Sequence, residues 1–346
     1  MTIFDYITAK EIAAYYNTQA AEVTLPPYLG EELFPNKKQL GLDLSFIKGA
    51  KGLAKILKLS AFDAKTVKRD RIGFEKLQTE MPFFKEGMSV DEKTRQELLR
   101  VMQTGNQAYI DMVLNKIFAD EITLMEGAAV VRERMRMQLL STGVITLANN
   151  GQAVEYDYGV PAAHKVNAST PWSTVATADP IADITAWQDL MEASGYGRPT
   201  RAITSRRVLR AIAKIDSVKN AIYVLGQGKV TPDEASVRAY IADKTGVDIV
   251  VYEKYYKDVD DTVNRMLPDD LFILIPEGTL GNTYFGTTPE EADLMASNIA
   301  NVAIVDTGVA ITTSKLVDPV NVDTKVSQVC LPSFEAADQI IIADVM

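Results

Sequence analysis

The chain has 346 residues, which fits one large domain or two intertwined ones. Apolar residues make up 47% and charged residues 24%, as in a folded globular protein, and no run of about 18 apolar residues marks a membrane span. A single histidine, a single cysteine and a net charge of −10 exclude the usual zinc sites, an internal disulfide and whole-surface binding to nucleic acid.

In chain order, Thr8 to Ala21 has helical spacing with Ile12, Tyr15 and Tyr16 on one face. The N-terminal stretch has no long apolar core and does not read as a signal peptide. Pro26, Pro27 and Pro35 then force an extended path through "TLPPYLGEELFPNKKQLG". Such an arm cannot bury its own apolar side chains, so Tyr28, Leu29, Leu33 and Phe34 are expected to need a partner surface. From Leu42 to about Met88, "LDLSFIKG" alternates like a strand and "IGFEKLQTEMPFFKEG" returns extended, which predicts a long two-stranded excursion with a loosely structured tip.

"SVDEKTRQELLRVMQTGN" opens a helix with Ser89 and Glu92 in capping-box spacing. A second helix runs from about Gln107 to Leu140, roughly 50 Å long at about 1.5 Å per residue. Gly127 inside it predicts a bend or close packing. A hairpin follows with almost no intervening loop, its turn pair Asn150-Gly151.

Elements then alternate. A helix starts after Asp179 with Pro180 at its first position, "RAITS" is a strand and "SRRVLRAIAKI" a helix. "TPDEASVRAYIADKTG" predicts a helix capped by Thr231 with Pro232 first and Gly246 as its stop. "VDIVVYEKYY" and "DLFILIPEG" are apolar strands of the central-sheet type. After Ala300 the pattern is β to the end, and the economical topology pairs these last strands with the early hairpin. About His164 to Ala300 would then be an insertion.

Chemistry is sparse. Neither a Walker loop nor a GxGxxG after a strand occurs, "GTLGNTYFG" reads as a turn, and "ASGYG" is a helix stop rather than a nucleophile elbow. His164 reads as structural or surface, and Cys330 as a small buried hydrophobe. The acid pairs Asp260-Asp261 and Asp269-Asp270 lack calcium-loop spacing and read as solvated loops. "RERMRMQLL" reads equally as an adaptable partner surface or as core, with Met135 and Leu139 on one face.

Charge is uneven. From Lys48 to Arg71 eight basic residues stand against two acids, whereas Thr231 to Ala300 holds fourteen acids against five bases. The basic run has only Phe62 as an aromatic, a poor platform for stacking nucleic-acid bases. It therefore points to self-association: Lys48, Lys51, Lys55, Lys58, Lys65, Lys68, Arg69 and Arg71 meeting a neighbour's acids, the densest run being Asp258, Asp260 and Asp261.

The ordered set of "LGEELFPNKK" with "GLDLSFIKG", "EGAAVVRERMRMQLLSTGVITL" with its hairpin, and "GNTYFGTTPEEADL" resembles the phage major capsid protein E family, lambda-type capsid proteins with the Hong Kong 97-like fold. The resemblance covers essentially the whole chain. It implies an α+β fold with an N-terminal arm at 1–40 and an extended loop, the E-loop, at 41–88. A peripheral domain with a spine helix and β-hairpin would take 89–163 plus 301–346, and an inserted α/β axial domain 164–300. It further implies hexamers and pentamers of an icosahedral shell enclosing double-stranded DNA of a tailed phage or prophage. Partners would be a separate scaffolding protein, a portal protein and a decoration protein. No catalytic residue, cofactor, metal or membrane is implied, and the shell would be a virion capsid assembled in the host bacterial cytoplasm. The rival readings are an encapsulin-like compartment shell and a soluble α/β enzyme assisted by a metal.

Overall fold

A computed structural model describes residues 6–22, 28–48, 75–90, 92–149, 152–223, 230–295, 300–317 and 320–346. Helix α1 (Ala9–Glu22) buries Ile12 and half-buries Tyr15 and Tyr16, the face set by its spacing. Helix α2 (Leu29–Leu33) replaces the extended arm expected there. Its five residues contain no proline, so the backbone closes a turn, with the Phe34 N–H donating to Gly30 O at 2.8 Å. Strands β1 (Asn36–Lys38), β2 (Asp43–Lys48), β3 (Glu75–Glu80) and β4 (Phe83–Ser89) follow. β2 and β3 pair as the two-stranded excursion. β4 does not share that ribbon: it pairs residue by residue with the late chain, from Phe83 opposite Val329 to Ser89 opposite Asp323. Ser89 therefore ends a strand and its hydroxyl donates to Asp323 at 2.9 Å, so the expected capping box does not form.

Helices α3 (Glu92–Thr104) and α4 (Gln107–Thr142) come next. Gly127 in α4 has open space where a Cβ would stand, which removes close packing from the two expectations there, a bend or close packing. Gly143 makes the direct join to the hairpin of β5 (Val144–Asn149) and β6 (Gln152–Asp157) possible. It adopts a left-handed φ of 75°, and its N–H donates to Leu139 O while its carbonyl accepts from Tyr158 N–H. After β7 (Lys165–Asn167) come α5 (Pro180–Ala193), β8 (Arg201–Thr204), α6 (Arg206–Ile212), α7 (Asp216–Ile222) and α8 (Glu234–Thr245). Asp179 caps α5 as read from sequence, accepting from Ala182 N–H. Asp233, not Thr231, caps α8: its carboxylate accepts from Ser236 N–H, and Pro232 lies before the cap. The remaining strands are β9 (Asp248–Val251), β10 (Tyr255–Lys257), β11 (Val263–Arg265), β12 (Leu271–Ile275), β13 (Thr283–Phe285), β14 (Asn301–Val305), β15 (Val309–Val317), β16 (Val320–Pro332) and β17 (Ile341–Asp344).

These segments pack as two units. The first comprises Met1–Ser45, Gln78–Arg134 and Asn282–Ser333. Its sheet runs β1-β13-β16-β15-β14, with β4 also on β16. β16 is thirteen residues long, which lets it pair with β4, β13 and β15 at once. Helix α1 packs on β14 and β15. The late strands thus pair with β4 and β13 rather than with the hairpin, and β5 and β6 pair with each other alone among the described strands.

The second unit comprises Phe46–Leu77, Met135–Gly281 and Phe334–Met346. Its sheet runs β7-β17-β12-β8-β9, with β12 antiparallel to β17 and β8. The chain end, expected beside the hairpin, instead supplies the strand next to the centre of this sheet. Ile341–Asp344 is nearly all apolar and suits a strand covered on both faces. The core holds Trp172, Trp187 and Phe272, with Trp172 and Phe272 edge to face at 5.2 Å. Buried Asp183 accepts from Trp172 Nε1 at 2.8 Å and from Ser169 N–H, so this polar group sits satisfied inside the core.

Candidate assembly surfaces

The arm is strapped to the first unit. Gly30 N–H donates to Glu133 Oε1 of α4 at 3.1 Å, Thr283 Oγ1 donates to Phe34 O, and β1 lies parallel to β13 with Asn36 opposite Thr283. Leu33 and Phe34 are consequently buried, Phe34 at 0% exposure. Their cover comes from their own chain, so neither is available to a neighbour, contrary to the sequence expectation. Tyr28 and Leu29 are only half-buried. Burial, then the nearby Glu133 and Glu126 carboxylates, raise the Tyr28 phenol above its ordinary pKa.

Of the basic run, Lys51, Lys55, Lys58, Lys65, Lys68, Arg69 and Arg71 lie outside the described residues, and Lys48 ends β2. Asp258, Asp260 and Asp261 come together at the tip of the β10–β11 ribbon. Asp258 N–H donates to Thr262 O, Asp258 Oδ1 accepts from Val259 N–H, and Asp260 accepts from the Thr262 hydroxyl at 2.6 Å. The Thr262 bonds hold the Asp260 carboxyl below the usual carboxylate range.

Several features escaped the sequence reading. Glu121, Glu133 and Glu290 are buried in the first unit although glutamate is a surface residue by type. Glu121 Oε1 accepts from Thr324 Oγ1 at 2.8 Å, and Oε2 has no partner among the described residues. Burial pushes the Glu121 carboxyl up to about 7, the Thr324 bond opposing and the Asp120 charge adding to it. Glu290 goes the other way: burial would raise it, but its own backbone N–H, Ser327 Oγ and the ammoniums of Lys325 and Lys85 outweigh that and lower it. A basic cleft in the second unit, formed around Arg206, Arg207, Arg210, Lys214 and Arg265, was also missed. Its signal is the row of cations at positions 206, 207 and 210, on the side of α6 away from buried Val208, Leu209 and Ile212, with Lys214 just past the helix end.

Met135, Met137 and Leu139 are fully buried, which decides for the core between the two readings of the methionine run. His164 is buried edge-on to Tyr196, and Cys330 is buried in β16. Among the described residues no cluster of His, Cys, Asp and Glu could hold a metal ion, and no helix is long and apolar enough to cross a membrane.

Solved structures share this fold. A protein described as a prophage capsid protein from E. coli CFT073 matches with a TM-score of 0.61 at 16% identity, covering 98% of this chain and 99% of that one. A phage-related protein from Bordetella bronchiseptica RB50 matches with a TM-score of 0.55 at 13% identity, covering 98% and 97%. The family model described as phage major capsid protein E matches residues 8–345. With that match spanning nearly every element described above, the chain belongs to the phage major capsid protein E family, structural proteins of the phage shell rather than enzymes.

Proposed function

We propose that copies of this chain, self-assembling as their family does, form hexamers and pentamers of an icosahedral shell around the double-stranded DNA of a tailed phage or prophage. A separate scaffolding chain directs assembly in the host cytoplasm, a portal occupies one vertex, and a decoration protein binds outside. The observation that carries this reading is the family match over residues 8–345.

Within the subunit, the arm is 1–40, the E-loop 41–88, and the body holding the α4 spine is the peripheral domain. The α/β unit that β17 completes is the axial domain. The basic run from Lys48 to Arg71 reaches the acidic surface of a neighbour, and half-buried Tyr28 and Leu29 are the arm residues open to a second copy. Complementary charge of this kind sets register and encounter rate more than raw affinity.

Negative-stain images of protein expressed with and without its candidate scaffold test the reading, together with nuclease-protected nucleic acid recovered from any particles. Closed shells holding DNA are expected. A stable monomer at high concentration even with the scaffold overturns it, and shells that hold a protein cargo instead favour a compartment.

A further inference from the structure

The second unit carries two exposed features of opposite charge. The cleft of about 550 Å³ is lined by Arg206, Arg207, Arg210, Lys214 and Arg265, with the apolar side chains of Val175, Ala211 and Met346 between them. Three carboxylates answer the five cations. Glu234 lies 3.3 Å from Arg206 and 3.7 Å from Arg210, Asp269 lies 2.9 Å from Arg207, and Glu253 lies 2.8 Å from Arg265. Counting side chains alone, two positive charges remain in excess, in a chain whose net charge is −10. Arg210 is 67% exposed, and Lys214 has no ion pair among the described residues.

The tip of the β10–β11 ribbon is the counterpart. Asp258, Asp260 and Asp261 stand against Lys257, an excess of two negative charges, and between them Val259 is 94% exposed. Bonds to Thr262 and Val259 hold the turn, so the tip is a knob with exposed Val259 among acidic side chains. The cleft likewise combines apolar side chains with charge, of the opposite sign.

We infer that the Val259 tip of one copy docks in the Arg210–Lys214 cleft of the next, a head-to-tail contact that closes the ring of axial domains. This rests on the shell reading above. Knob and socket are different surfaces, so the contact is heterologous and generates a ring when its rotation closes. A copy cannot fill its own cleft, because Tyr255 and Arg265 at the base of the ribbon are part of the cleft wall and the tip lies two residue pairs further out. Packaged DNA is the poorer occupant: Glu234, Glu253 and Asp269 interleave with the cations and repel phosphate, whereas neutralising phosphates needs unpaired cations.

Disulfide trapping tests the contact in assembled particles. Val259→Cys with Ala211→Cys, oxidised after assembly, gives a ladder of linked subunits on non-reducing gels, and neither single variant does. Native Cys330 is buried and adds no background. Arg210→Glu with Lys214→Glu abolishes the ladder, and adding Asp260→Lys with Asp261→Lys restores it. If the cysteine variant does not fold, carbodiimide coupling of wild-type particles built from mixed isotope-labelled subunits is expected to join Lys214 to Asp260 or Asp261 between copies. Normal particles with neither ladder nor that cross-link overturn the docking and leave the shell reading standing. A ladder from Val259→Cys alone means tip meets tip and also overturns it. So does an Arg210→Glu, Lys214→Glu particle that keeps its ladder but loses DNA. Wild-type protein that forms no particle at all defeats the shell reading itself.

Discussion

Replacing Glu121 with glutamine is expected to remove a pH-dependent weakness from helix α4. The side chain is 2% exposed, one oxygen accepts from Thr324 and the other has no partner among the described residues. Its pKa is raised from 4.5 to about 7, chiefly by burial. At about 1.4 kcal/mol per tenfold in proton affinity, that rise corresponds to up to about 3 kcal/mol. Below pH 4.5 the carboxyl is neutral folded and unfolded, and nothing is lost. Between 4.5 and about 7 the folded chain keeps a proton that the unfolded chain releases, so stability falls as pH rises through this window, and above it the full penalty remains. Glutamine keeps the oxygen that accepts from Thr324 and carries no charge at any pH. Melts of wild type and Glu121→Gln, taken in the same assembly state from pH 4.5 to 8.5, isolate the effect, because every other titrating group cancels in the difference. The variant should gain on wild type with rising pH by about 6 °C, at about 2 °C per kcal/mol for a chain of this size. Parallel pH curves would refute the reasoning, since they would mean water or an unseen partner stabilises the buried charge.

Phe34→Ala should cost about 3–5 kcal/mol in the unassembled subunit, read from its denaturation midpoint. An unchanged midpoint would mean that Phe34 is covered only by a neighbouring copy. Gly143→Ala should yield insoluble protein in expression trials, because its Cβ would lie 2.4 Å from Val160 Cγ2 on a backbone held at φ 75°. Soluble, normally melting protein would show that the helix-to-hairpin joint can relax. Gly127→Ala should stabilise the unassembled subunit by up to about 1 kcal/mol, since the added methyl meets nothing. A lower melting temperature would restore the close packing read from sequence. Reversing Lys65, Lys68, Arg69 and Arg71 to glutamate should block particle formation while leaving the subunit's circular-dichroism melt unchanged. Particles at the normal rate would rule out an electrostatic clasp.

What was legible in the sequence was local. Asp179-Pro180 and Gly246 bound helices because capping and left-handed stops act within a few residues, and Val144–Asn149 with Gln152–Asp157 form a hairpin because their partners are neighbours in the chain. What was not legible depends on partners far along the chain. Phe83–Ser89 pairs with a strand some 240 residues later, and that pairing, not any helix signal, decides what Ser89 does. The arm misled for the same reason. Its prolines predict an extended path, yet the proline-free Leu29–Leu33 between them closes a helical turn, and the surface that covers Leu33 and Phe34 includes Glu133 and Thr283, far along the same subunit.

The assembly surfaces divide along the same line. A run of like charge such as Lys48 to Arg71 is visible in sequence because its members are adjacent. The basic cleft is not, because Arg265 reaches it from a ribbon while Arg206, Arg207 and Arg210 come from a helix, and only the fold brings the two together. Their carboxylate partners Glu234, Glu253 and Asp269 are likewise scattered among the acids that make Thr231 to Ala300 look uniformly negative. Net charge along a segment therefore describes how a subunit is drawn to its neighbours at a distance, where screening averages over a Debye length of about 10 Å. Which groups meet once copies touch is set by local excesses of one or two charges, such as those at the Val259 tip and the Arg210 cleft. Two subunits that are both strongly acidic can dock head to tail because the long-range repulsion is screened at physiological salt and the contact itself pairs opposite signs.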